Sequence, residues 1–299
     1  MKKGVVIALC VAVVAVGAAT VGWWMGRDRA SSDRTGTAAA VKAPSAAELA
    51  VRVERSRKYV EEHRHLWREA SYIEIRQSAE GGNLVAQRRL SELYEDCKAF
   101  DGAMRSSLDM LRNLAKTDQM SQPTIDGLVH DYNRLCTQAA ADLRKNPGLA
   151  QYWLHKSAKA GDVTSEMRYF SRTVPTLSPS QFQYFIGKVS ASGDPDAIFE
   201  LSLLVPKLKG DWPDPTQAPA FKGQAAQFAW IMASCRAGYD CARGSRLMHL
   251  LCVSDFACTD PNYERYLSVS THYDEQRPQV EKLIRIINDS ILAPKAPGQ

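Results

Sequence analysis

Trp153-Leu154-His155-Lys156-Ser157-Ala158-Lys159-Ala160-Gly161-Asp162 is the stretch on which the fold turns. It reads as an apolar helix face, then a glycine able to close a helix in the left-handed conformation, then an aspartate suited to cap the next helix. The arrangement recurs. Phe185 precedes Gly193 by eight positions in Phe-Ile-Gly-Lys-Val-Ser-Ala-Ser-Gly-Asp194, the interval that separates Trp153 from Gly161. Trp230 precedes Gly238 by eight in Trp-Ile-Met-Ala-Ser-Cys-Arg-Ala-Gly-Tyr-Asp. A fourth copy, weaker in its aromatic position, ends Ser78-Ala79-Glu80-Gly81-Gly82-Asn83. Small residues such as Ala158 and Ala191 are expected to let paired helices approach closely.

The glycines Gly82, Gly161, Gly193 and Gly238 are 79, 32 and 45 residues apart. The first gap is about two periods of a unit of roughly 35–40 residues, the range of stacked helical hairpins. Leu111 to Asp118 reads as a degenerate copy between them. Elsewhere Ser178-Pro179, Asp194-Pro195 and Asp260-Pro261 each put a capping residue before a proline suited to a first helical turn. No run alternates with a period of two. The expectation is an all-α protein of about a dozen helices with short connections.

With these residues in view, the chain resembles the Sel1-like branch of the tetratricopeptide-type repeats. Trp153, Ala158, Gly161, Asp162, Ala191, Gly193, Asp194, Trp230 and Gly238 carry the resemblance, over some two thirds of the chain beyond residue 45. The Leu-Gly…Tyr half of the family pattern is weak here, and Leu90…Leu93-Tyr94 is its nearest trace. The resemblance implies an α-solenoid of helical hairpins that serves as an interaction scaffold, and it implies no catalytic residues. A generic helical bundle is the alternative.

The chain around these repeats divides into four parts. Residues 1–26 read as a signal anchor. Lys2 and Lys3 precede 23 uncharged residues, Gly4 to Gly26. As a helix these would span roughly 35 Å, enough for a bilayer core of about 30 Å. Trp23 and Trp24 stand where an aromatic belt would lie, and the two lysines favour a cytoplasmic N-terminus. A cleaved signal peptide, offered by the small residues Gly17-Ala18-Ala19, is the alternative. Residues 27–44, rich in Ala, Ser, Thr and Gly, read as a flexible stalk. Residues 45–293 read as the helical domain and 294–299 as a tail. Ser45-Ala46-Ala47-Glu48 has capping-box spacing, and a charged helix with a solvated face is expected from there to about Ala79.

Cys10 falls in the apolar segment and reads as a membrane residue. Six cysteines remain: Cys97, Cys136, Cys235, Cys241, Cys252 and Cys258. An even number beyond an export segment reads as disulfides. If Cys241 and Cys252 lie on one helix, they stand about 16 Å apart, beyond a disulfide's reach. The favoured pairs are therefore Cys235–Cys241 and Cys252–Cys258, leaving Cys97–Cys136. Zinc held by the last four cysteines and His249 is the alternative, although no Cys-x2-Cys knuckle occurs.

The net charge of +5 is spread along the chain and does not point to nucleic acid. Neither a nucleophile elbow, a phosphate-binding loop nor a His-Glu-x-x-His pair occurs. No catalytic residue and no cofactor is expected. His63 and His65, two apart on a helix, read as surface residues. The loop from Gly210 to Pro219 is long and proline-rich, and its Trp212 is either a partner anchor or a ring folded back on its own domain. Together these readings describe a domain in the bacterial periplasm, anchored in the inner membrane through residues 4–26. Its expected work is protein–protein interaction with another envelope protein. The alternative is an envelope enzyme or ligand-binding protein with its site on the helical domain.

Overall fold

The computed structural model describes residues 60–100, 105–115, 122–255, 257–269 and 273–292. All of them belong to one compact unit, Val41–Gln299. The anchor, the stalk and Ser45 lie outside the described residues. So do residues 116–121, which hold part of the degenerate repeat.

Among the described residues the fold is all-helical, with only two isolated bridges, Leu177 to Leu208 and Ala242 to Asn262. An entry segment, residues 60–64 running into a wide turn at His65–Glu69, leads to α1 (Tyr72–Glu80) and α2 (Leu84–Ala99). Then come α3 (Arg105–Ala115), α4 (Gln122–Lys145), α5 (Leu149–Lys159), α6 (Val163–Thr173), α7 (Pro179–Ser192) and α8 (Pro195–Leu204). After the loop around Trp212 follow α9 (Gly223–Ala237), α10 (Arg246–Asp255), α11 (Tyr263–Val269) and α12 (Tyr273–Ile286). α2 packs on α1, α4 and α5; α5 packs on α6, α6 on α8, α8 on α9 and α9 on α12.

The helix ends explain where the chain turns. Asn83 Oδ1 accepts from the Ala86 amide at 2.8 Å and starts α2. Asp162 Oδ2 accepts from Ser165 at 2.8 Å and starts α6. Asp194 Oδ1 accepts from Asp196 at 2.8 Å and starts α8. The glycines before these caps have positive φ, 98° at Gly161 and 66° at Gly193, a conformation that side-chain-bearing residues avoid. Each capping side chain satisfies an amide that the first helical turn leaves without a partner.

Three boundaries depart from the sequence expectation. The charged helix does not run unbroken to Ala79: it stops at Ala70, and Ser71 starts a new helix by closing a capping box with Glu74. The Ser-x-x-Glu spacing here competes locally with continued helix, and it prevails. Cys241 does not share a helix with Cys252, because α10 begins only at Arg246. At Asp260-Pro261 the cap is displaced to Asn262, whose Oδ1 accepts from the Arg265 amide at 2.8 Å.

Apolar burial forms two clusters. One gathers α1, α2, α3, α4 and the start of α5, around Ile75, Leu90, Leu111, Ile125 and Ala139. The other gathers α7, α8, α9 and α12, around Phe182, Leu201, Trp230 and Leu283. The cysteines close three disulfides: Cys97–Cys136 between α2 and α4, Cys235–Cys241 across the end of α9, and Cys252–Cys258 across the end of α10. These are the pairs that the spacing favoured, and the last two hold in spite of the displaced start of α10.

Candidate functional site

α2 carries a charged face inward. Arg88 is wholly buried, and three carboxylates from the starts of α6 and α8 surround it. Its Nη1 lies 3.2 Å from Asp162 and 3.0 Å from Asp194, and its Nη2 lies 2.9 Å from Asp196. Thr164 Oγ1 also donates to Asp194 at 2.8 Å. The aspartates of the Gly-Asp turns thus have two tasks. One oxygen or lone pair caps a helix, and the rest of the group holds the buried guanidinium. α2 belongs to the first apolar cluster and α8 to the second, so this ionic layer ties the two together.

One turn further along α2, Glu92 accepts from Arg168 of α6, and Arg168 also donates to Glu200 of α8. Trp67 of the entry segment donates from Nε1 to Glu92 at 2.8 Å. A further turn along, Asp96 takes Arg246 of α10 through Nε at 3.1 Å and Nη2 at 2.8 Å. The entry segment lies against the same face: His63 Nε2 is 3.3 Å from Asp196, and Arg68 Nη2 donates to Asp240 at 2.7 Å.

These groups surround a cavity of about 200 Å³. Arg89, Glu92, Asp96, Arg168 and Arg246 supply its charged wall, and Leu93, Tyr132, Leu135 and Phe199 its apolar one. Asp131 and Arg134 lie exposed on its rim.

The electrostatics follow from sharing. Burial pushes the Glu92 carboxyl up, but Arg168, Arg246, Arg88 and Arg89 together bring it well below the ordinary carboxylate range. Burial pushes the Arg88 guanidinium down, and the carboxylates around it more than restore it. Asp162 has only a share of that one cation, so burial prevails and raises it. Burial likewise raises Asp196. Arg89 is the exception among the arginines: burial lowers it, and Asp96 and Glu92 do not make up the loss. The cavity carboxylates Glu92, Asp96 and Glu200 are each held by a guanidinium. Among the described residues no group of His, Cys, Asp and Glu is arranged to hold a metal ion.

The residues singled out in the sequence are placed as follows. Trp153, Phe185 and Trp230 are buried, and Trp230 Nε1 donates to Ala220 O at 2.8 Å. Lys156 Nζ stands 4.5 Å from the Trp153 ring. Ala158 is half-buried but Ala191 is exposed, so it cannot bring two helices together. In the first of these repeats the closely packed small residue is Ser157, wholly buried and 3.1 Å from Ser165 Oγ. Trp212 is not an exposed anchor: it is 6% exposed, stacks on Phe221 at 3.8 Å and donates to Gln217. An indole gains more from an apolar neighbour and one acceptor than from water. His63 is not a surface residue: it is buried against Asp196 of α8 and the Trp67 ring, whereas His65 stays exposed. The sulfurs proposed as zinc ligands are all in disulfides.

Sequence reasoning missed the ionic layer. Its signal was present: α8 is apolar on almost every side, yet carries Asp196 and Glu200 four residues apart. A carboxylate pair on an otherwise apolar helix calls for buried cations. Compared with family models, with curated proteins and with solved structures, the chain finds no match.

Proposed function

We propose that this chain is a helical-repeat interaction domain, anchored in a bacterial inner membrane and held in the periplasm, where it docks another envelope protein. In this reading the hairpins stack as an α-solenoid of the Sel1-like, tetratricopeptide-related kind. The observation that carries it is the meeting of Asp162 and Asp194 on Arg88: two successive Gly-Asp turns present the same residue to the same helix, as stacked repeats do. The three disulfides support an oxidising compartment. The engagement of the cavity carboxylates by arginines favours recognition over proton transfer, because a general base must be available to its substrate.

Photo-crosslinking from position 134 at the cavity rim, in intact cells, tests this. Recovery of one envelope protein from that position, and not from position 285, which is exposed and does not line the cavity, is the expected result. Equal recovery from both positions, or no specific partner from either, counts against the reading. Protease accessibility in spheroplasts tests the compartment: digestion of the helical domain only after the outer membrane is opened is expected, and protection there would overturn the periplasmic assignment.

A further inference from the structure

Arg89 stands out among the buried charges. Its side chain is 6% exposed and lines the cavity, flanked by the Trp67 ring at 5.4 Å. Of a guanidinium's five N–H donors, one is used: Nε donates to the Leu66 carbonyl at 3.3 Å. Its nearest carboxylate oxygen is Asp96 Oδ2, 3.8 Å from Nη1, beyond hydrogen-bond reach. Asp96 is already taken by the two-point grip of Arg246. Arg168, by contrast, is shared between two glutamates. The terminal nitrogens of Arg89 are therefore open to the cavity, where an anion would replace water with a charge-assisted pair.

We infer that the cavity is a binding site for a small organic monocarboxylate with an apolar body. Its carboxylate takes the terminal nitrogens of Arg89 in the two-point geometry that a guanidinium favours. Its body lies against Leu93, Tyr132, Leu135 and Phe199, the apolar residues that line the same cavity. The size is consistent: about 200 Å³ holds a molecule of the size of a free amino acid or an aromatic acid, and no folded partner. A second anionic group on the ligand would meet Glu92 and Asp96, whose cations are already committed, which is why a single carboxylate fits best. Burial lowers the basicity of Arg89 and Asp96 and Glu92 do not make up the loss, so a carboxylate beside it would favour its charged form. The inference does not depend on the docking of an envelope partner.

Calorimetric titration of the full chain, purified in detergent, with benzoate, benzamide, acetate and inorganic phosphate tests it. Benzoate should bind at one site, acetate more weakly, and the neutral benzamide and phosphate not at all. Arg89→Lys keeps the charge but loses the two-point grip, and should weaken benzoate by about tenfold or more. Leu135→Trp leaves Arg89 in place but fills the apolar wall, and should abolish binding even if Arg89→Lys does not fold. Arg285→Lys, on the exposed face of α12, should change nothing. Absence of benzoate binding, equal binding of benzamide, binding of phosphate alone, or unchanged affinity in folded Arg89→Lys and Leu135→Trp proteins would each overturn the inference.

Discussion

Asp162 holds the Ser165 amide with Oδ2 at 2.8 Å and faces Arg88 Nη1 with Oδ1 at 3.2 Å. A helix cap and a buried ion pair are thus the same side chain. Local turn chemistry and the joining of two apolar clusters depend on one residue, and the consequences can be measured.

Removal of Arg88 should be more damaging than its replacement of one contact suggests. Arg88→Met leaves Asp162, Asp194 and Asp196 buried without their shared cation. Breaking a buried pair in this way costs about 3–5 kcal/mol. Urea unfolding should show a loss of that size, with Arg88→Lys intermediate. A loss under about 1 kcal/mol would mean that the three aspartates take up protons or water at little cost.

Two glycines of α7 should respond in opposite directions. Gly193 closes the helix at φ 66°, and a Cβ there meets nothing within 4 Å, so only the backbone conformation resists substitution. Gly193→Ala should cost about 1–2 kcal/mol. Gly187, inside the same helix and equally unobstructed, has no positive φ. Gly187→Ala should stabilise by about 0.5–1 kcal/mol. Thermal unfolding of the two variants, if both moved the same way, would contradict the assigned helix end.

Asp196 makes stability depend on pH. Burial pushes its carboxyl up to about 7 from an ordinary 3.8, helped by Asp194 and Glu92 and opposed by His63 and Arg88. Between those values the folded chain keeps a proton that the unfolded chain has released. The contribution of this group is therefore greatest below about pH 4 and is lost as the pH rises to about 7. Glu92 acts with the opposite sign: its lowered carboxyl stabilises above the ordinary value of 4.5 and loses that contribution on acidification. Urea midpoints measured across this range should fall with rising pH, and Asp196→Asn should flatten the fall. An unchanged slope in that variant would assign the effect elsewhere.

The disulfides should differ in worth. Cys97–Cys136 closes a loop with a sequence separation of 39, and each of the other two a separation of 6. Chain-entropy arithmetic gives about 4 kcal/mol for the first and about 2 kcal/mol for a short one. The Cys97→Ala/Cys136→Ala double variant should therefore unfold at a distinctly lower urea concentration than Cys235→Ala/Cys241→Ala. Thiol labelling of the denatured, unreduced chain should find Cys10 alone. Labelling of Cys235 and Cys241 would reject their pairing.

Much of the fold was legible in the sequence because its signals are local. Gly161-Asp162 and Gly193-Asp194 announce a helix end and the next helix start within two residues, and backbone sterics and one side-chain acceptor are sufficient for both. The pairing of Cys235 with Cys241 and of Cys252 with Cys258 needs only a turn of six residues. The same local strength of Ser71 and Glu74, a capping box of ordinary spacing, went unread and broke a helix expected to continue.

The sequence by itself determined an all-helical chain, its main helix ends and its cysteine pairs, since each depends on neighbours a few residues apart. Only the tertiary structure decided that Arg88 would meet aspartates 74 and 106 residues away, that Arg89 would be left facing a cavity, and that Trp212 and His63 would be covered. Those outcomes depend on which helix faces stack. A charge within a helix looks the same in sequence whether it meets water or a buried partner, and only packing removes the water.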